Sequence, residues 1–238
     1  MEPLLEIKEV SKSFGAKKVL DNLSLELYPG EIVGLVGRSG CGKSTLIKIL
    51  VGYYRPDGGK IIFNGRDVTR HFNKVKEIVG YTTQENSFYE KLTVYENMVY
   101  YSNLYNISFR ARRERINYLL KSVELYSSKD VLAGNISGGM KRRLDFAISL
   151  LHNPKLVILD EPTTGLDPIL VENFWKIVTE IVKEQKITVL VSSHLLSEVK
   201  EYCDKAAVVS CGKVKEVLRM RSDIDLEANF KKITNEGN

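Results

Sequence analysis

The sequence predicts an α/β fold with a mainly parallel sheet, an N-terminal antiparallel β subdomain and an inserted helical subdomain. Three observations carry this expectation. A strand-like run, EIVGLVG, leads straight into a glycine loop, GRSGCGKST, and then into a helical pattern. LVIL at 156–159 and ITVLVSS at 187–193 are short apolar runs, as expected of parallel strands covered on both faces. Residues 88 to about 150 carry helical periodicity instead. Strands and helices alternating around a phosphate loop place a ligand at the carboxyl ends of the strands.

In chain order, the first thirty residues read as antiparallel β structure. Leu23, Leu25 and Leu27 alternate, and YPG at 28–30 closes the segment with a turn. EIVGLVG is a buried strand, 43–51 the helix after it, and KIIFNG a further β segment. Thr93 and Glu96 form a T-x-x-E capping box ahead of a helix. Ile116, Leu119, Leu120 and Val123 share one helical face, as do Leu144, Ala147, Ile148 and Leu151. After LVIL, a helix carries Leu170, Phe174, Ile177, Val178 and Ile181 in register. ITVLVSS and AAVVS at 206–210 are later strands. Residues 1–220 are expected to form one domain, with the helical subdomain at about 88–150 inserted in its core. Residues 221–238 read as a polar, frayed tail.

A chain of 238 residues with 43% apolar composition can bury one substantial core. No apolar run approaches the ~20 residues that cross a bilayer. MEPLLEIKEVSKSF lacks the basic and apolar regions of a signal peptide. The expectation is a cytoplasmic protein unless another protein holds it at a membrane. Cys41, Cys203 and Cys211 lack zinc-ligand spacing and suggest a reducing compartment. A net charge of +5 permits contact with nucleic acid or anionic lipid and argues for neither, so no specific nucleic-acid partner is expected.

Gly37, Gly42, Lys43 and Ser44 fit G-x-x-x-x-G-K-[ST] without mismatch, with Arg38, Ser39, Gly40, Cys41 and Thr45 completing the loop. Glycines let the backbone curl so that several N–H groups face one phosphate chain. Lys43 brings a cation to the β and γ phosphates, and the Ser44 hydroxyl can ligate Mg²⁺. The motif indicates a nucleoside triphosphate without saying which enzyme class uses it. Asp160 and Glu161 end the LVIL strand. Side chains alternate along a strand, so the two acids can do different jobs: Asp160 holding Mg²⁺, Glu161 facing an attacking water as general base. His194 lies at the carboxyl end of the next strand, reaching the same sheet edge as Glu161. Gln84, after EIVGYTT, can meet the metal or the water, although a lone glutamine is ordinarily a loop residue.

NISGGMKRR at 135–143 reads as a second phosphate turn, with Ser137 as N-cap. Lys141, Arg142 and Arg143 in the first turns of the following helix run against its macrodipole unless an anion binds.

Motif order and spacing resemble the nucleotide-binding domain of ABC transporters from about residue 4 to 217. The resemblance implies a P-loop NTPase core that hydrolyses ATP with Mg²⁺. GRSGCGKST resembles the family's Walker A, Gln84 its Q-loop and NISGGM its signature loop. VILDE resembles its Walker B, TGLD at 164–167 its D-loop, with Asp167 near nucleotide, and His194 its switch histidine. Phe14 sits where the family stacks an aromatic ring on adenine. Ile136 and Met140 depart from the usual LSGGQ, while Ser137, Gly138 and Gly139 are intact. SGGMKRRLDFA and Gly165 resemble the ABC-2-type exporter group. The resemblance implies two ATPase subunits pairing head to tail, each SGG loop capping the γ-phosphate on the other's Walker loop. It further implies a separate transmembrane permease docked on the helical subdomain around residues 85–110, at the cytoplasmic face. Two rivals are a soluble ABC motor or scaffold without a permease, and a non-catalytic nucleotide-binding regulator. Glu161 and His194 argue against the regulator.

Overall fold

The computed structural model describes residues 2–221 and 224–235. The first part of the chain forms strands β1 (Leu5–Phe14), β2 (Lys17–Leu27) and β3 (Ile32–Val36), helix α1 (Lys43–Leu50), strands β4 (Gly58–Phe63) and β5 (Arg66–Asp67), and helix α2 (Phe72–Ile78). Then come β6 (Val79–Thr82), α3 (Val94–Leu104), α4 (Phe109–Ser122), α5 (Gly138–Ser149), β7 (Leu156–Asp160) and α6 (Pro168–Gln185). The chain closes with β8 (Thr188–Ser192), α7 (Leu196–Tyr202), β9 (Lys205–Ser210), β10 (Lys213–Arg219) and α8 (Leu226–Asn235). These elements cluster into two compact units, Met1–Lys76 with Thr188–Asn238, and Glu77–Ile187. The second unit is wider than the insertion expected at 88–150, because β6, β7 and α6 belong to it.

In the first unit, β1 and β2 pair antiparallel, and β4 and β5 extend that sheet. The leucine alternation sets the register: Leu27 faces Leu5, Leu25 faces Ile7 and Leu23 faces Val10, all buried. β3 lies between β8 and β9, parallel to both, and β10 adds antiparallel to β9. Every residue of β3 and β8 is buried, which is why both read as continuous apolar runs. The Asp204 carboxylate accepts the Ile32 N–H at 2.8 Å and fixes where β3 starts.

The second unit pairs β6 with β7 in parallel, from Val79–Leu156 to Thr82–Leu159. The capping box forms as expected: the Glu96 N–H donates to Thr93 Oγ1, and the Thr93 N–H to the Glu96 carboxylate. Ile116, Leu119, Leu120 and Val123 are buried, as are Leu144, Ala147, Ile148 and Leu151. Trp175 on α6 is fully buried beside Phe174, which meets Phe146 of α5 edge-on at 5.8 Å.

The tail differs from expectation. Residues 226–235 form α8, with Leu226 and Thr234 buried and Phe230 and Ile233 half-buried. Apolar residues at i, i+4 and i+7 give this polar segment one face that packs. Residues 222, 223 and 236–238 of the expected tail lie outside the described residues.

Candidate functional site

The first unit holds the glycine loop expected to take phosphate. β3 ends at Val36 and delivers Gly37 to the carboxyl edge of its sheet. The Cys41 N–H donates to the Arg38 carbonyl at 3.2 Å, closing a turn. Gly42 stands at φ 112°, and a Cβ there would lie 2.7 Å from Leu20 Cδ2 and 3.1 Å from the Val19 carbonyl oxygen. Only glycine fits. The Gly212 N–H donates to the Cys41 carbonyl at 3.2 Å, and the Asp21 N–H to the Gly212 carbonyl at 3.0 Å, so β2 braces the loop.

Helix α1 begins with no side chain capping it, leaving its first N–H groups to an outside acceptor. Lys43 Nζ donates to the Gly37 carbonyl at 2.6 Å and the Arg38 carbonyl at 3.4 Å, which holds the cation over the loop. Arg38, Ser39, Gly40 and Ser44 are exposed; Cys41, Lys43 and Thr45 are half-buried. Open donors, a helix dipole and a held cation in one turn fit a phosphate chain. His194 enters by register: Leu35 of β3 faces Ser192 of β8, and the Ser193 N–H donates to the Leu35 carbonyl at 3.4 Å. His194 and Gly37 thus leave neighbouring parallel strands at the same edge. Phe14 ends β1 at 42% exposure, edge-on to Tyr54 at 5.1 Å, with Lys12 Nζ 5.5 Å from its ring centre. Tyr53, 73% exposed, continues this aromatic patch, which sequence reasoning missed beyond Phe14.

The second unit holds the acids. Asp160 is the last residue of β7, and the Tyr81 hydroxyl donates to its Oδ2 at 3.4 Å. Burial first, and the Asp160 charge second, push the Tyr81 phenol up to about 12. Glu161 lies beyond the strand at φ 48°. Strand alternation therefore does not separate the two acids, contrary to expectation. A left-handed turn does, at about 1–2 kcal/mol for a residue with a Cβ. Gln84 Nε2 donates to Glu161 Oε2 at 3.4 Å, and Thr164 Oγ1 donates to the same oxygen at 3.3 Å. Asp160, Glu161 and Gln84 are thus brought together in one unit, while in the other the loop that carries Lys43 and Ser44 and the residue His194 leave the same sheet edge. Among the described residues, no three His, Cys, Asp or Glu side chains gather to hold a metal by themselves.

Ser137 caps α5, its Oγ accepting the Met140 N–H at 3.3 Å. Ser137 and Gly138 are exposed. Gly139 is buried, and a Cβ there would sit 2.9 Å from Leu170 Cδ2, so the helix start packs closely on α6. Ile136 is buried, which any large aliphatic satisfies. The basic first turns need no outside anion: Lys141 pairs with Glu90 at 3.4 Å and Arg143 with Glu124 at 2.8 Å. Such exposed pairs are worth about 0–1 kcal/mol, the same scale as the dipole mismatch. Asp167 caps α6, its Oδ1 accepting the Leu170 N–H at 3.0 Å.

Asp145 on α5 went unnoticed in the sequence. It is 2% exposed, and its Oδ1 accepts both the Ser87 N–H at 3.0 Å and the Ser87 hydroxyl at 2.6 Å. Its Oδ2 has no hydrogen-bond partner among the described residues. Burial pushes this carboxyl above the usual carboxylate range, against the Ser87 hydrogen bonds and the nearby Arg142 charge. An unpaired buried polar atom costs about 1–3 kcal/mol. Ser87 lies 58 residues away, so no local pattern reveals the contact.

A family model described as "ABC transporter" matches residues 20–164. The chain is 35% identical over 214 residues to the lipopolysaccharide export system ATP-binding protein LptB of Haemophilus influenzae, covering 89% of this chain and 88% of that protein. It is 34% identical over 216 residues to the bacitracin transport ATP-binding protein BcrA of Bacillus licheniformis, covering 91% and 70%. Among solved structures, cbiO1 from Clostridium perfringens, described as part of the ABC transporter complex cbiONQ, superposes with a TM-score of 0.89. Its identity to this chain is 27%, over 98% of this chain and 95% of that one.

Proposed function

The chain belongs to the ABC transporter ATP-binding family, whose members hydrolyse ATP, and on that premise we propose that it powers a membrane exporter. The observation that carries the reading is Glu161, one residue past Asp160 and held by Gln84 and Thr164. A carboxylate so placed is suited to taking a proton from water.

The loop from Gly37 to Thr45 takes the triphosphate on its backbone N–H groups and Lys43, and Phe14 stacks on adenine. Ser44, and in the other unit Asp160 and Gln84, are the residues that would hold Mg²⁺, which would supply charge neutralisation. Glu161 accepts the proton of the attacking water as its oxygen bonds to the γ-phosphorus. The bond from γ-phosphorus to the β-phosphate oxygen breaks, and its electron pair leaves with ADP. A positioned base contributes ~10²–10⁴-fold. Gln84 orients Glu161 and the water, and His194 donates to the γ-phosphate.

Ser137, Gly138 and Gly139 serve the nucleotide of a second ATPase subunit, a copy or a different chain, with Asp167 lining the same interface. The closed dimer is favoured by a γ-phosphate touched from both sides, because only differential affinity shifts such an equilibrium. Among the described residues no helix is long and apolar enough to cross a membrane, and the reading assigns the translocation path to a separate permease. The permease docks on the segment around 85–110 at the cytoplasmic face, where Tyr89, Tyr100 and Leu104 are exposed. Export is supported by SGGMKRRLDFA and by the printed name of LptB.

The test is purification of the tagged chain from native membranes in mild detergent. A polytopic membrane protein in stoichiometric amount is the expected companion. Recovery only from the soluble fraction, with soluble partners, would make the chain an ABC motor for something other than transport.

A further inference from the structure

We propose that Asp145 and Arg142 are positioning residues for hydrolysis, by which helix α5 holds the loop that carries Gln84 from both sides. The proposal rests on Gln84 and Glu161 acting in ATP hydrolysis, as argued above. Arg142 Nη1 donates to the Thr83 carbonyl at 3.5 Å, just before Gln84. Asp145 Oδ1 takes both donors of Ser87, three residues after it. The two side chains are three apart on one helix and so share a face. Gln84 is thus bracketed, and it in turn reaches Glu161 at 3.4 Å.

The same helix begins at Ser137, and a helix is stiff over the ~12 Å that eight residues span. Whatever Ser137 meets at that end therefore acts on Gln84 through Asp145. A role in packing alone leaves Asp145 unexplained: an apolar side chain would fill this site without a buried oxygen lacking a partner.

The test is a double-mutant cycle on ATP turnover by the full chain in its purified complex. Asp145→Ala, Ser87→Ala and Asp145→Asn are each measured with Gln84 present and with Gln84→Ala. Asp145→Ala is expected to lower kcat about tenfold and change KM less than about twofold. Asp145→Asn keeps an acceptor for Ser87 and is expected to stay near the wild-type kcat. In the Gln84→Ala background, Asp145→Ala and Ser87→Ala should each cost less than about twofold, because they act through Gln84.

Equal losses in both backgrounds would overturn the proposal, as would a wild-type kcat for Asp145→Ala or an equally defective Asp145→Asn. Ser87→Ala, at an exposed residue, carries the cycle if Asp145→Ala does not fold. A parallel Glu161→Gln variant separates the two claims. If it hydrolyses ATP normally, the hydrolytic reading itself fails. If it is silent while Asp145 and Gln84 act additively, only the α5 proposal fails.

Discussion

Glu161 turns left-handed where β7 stops, and that single dihedral sets the acids apart. Its neighbour Asp160 keeps strand geometry and faces Tyr81. The Tyr81 phenol is raised from 10.0 to about 12, so the folded state holds this proton more tightly than the unfolded chain. That contribution is fully present below pH 10 and is lost as pH rises through about 12. Tyr81→Phe removes it, and urea unfolding between those values should show a shallower loss of stability than in the wild type. An equal slope would take Tyr81 out of the alkaline transition. The glycine turn between β3 and α1 was legible in the letters, because the spacing of its glycines marks the tight turn that the backbone makes there. Glu161's conformation was not, because alternation holds only inside a strand and Pro162, which marks the strand end, biases the residue before it toward extended backbone rather than a left-handed turn. The Asp145–Ser87 contact was invisible for a different reason: both partners are common polar residues on unrelated segments.

Helix starts were the most legible elements. T-x-x-E at Thr93 predicted both reciprocal hydrogen bonds of α3. Thr93→Ala should cost about 1 kcal/mol and lower the melting temperature by roughly 2–4 °C, with ATP turnover unchanged. A wild-type melting temperature would mean the box contributes nothing. Strands of the parallel sheet were legible as apolar runs, and β1 pairs β2 in the register that the leucine alternation requires. α8 was missed because composition was read instead of period: Leu226, Phe230 and Ile233 are spaced for one face within a polar segment. The basic start of α5 was legible, but its partners were not, since Glu90 and Glu124 lie far from it in sequence and close in the fold.

On the scale of the molecule, the chain carries two glycine turns for which phosphate binding is proposed, one in each compact unit. In the proposed dimer each serves a different nucleotide. Ser137→Arg should then abolish turnover while leaving ATP binding by the same chain intact, measured by titration calorimetry. Loss of both would assign the loop to its own chain's nucleotide. Everything proposed for the site turns on Glu161 as the base that activates water on a bound ATP. The most direct test is to load Glu161→Gln with radiolabelled ATP and Mg²⁺ and analyse the bound nucleotide. ATP retained uncleaved is the expected result. ADP formed and released at the wild-type rate would contradict it.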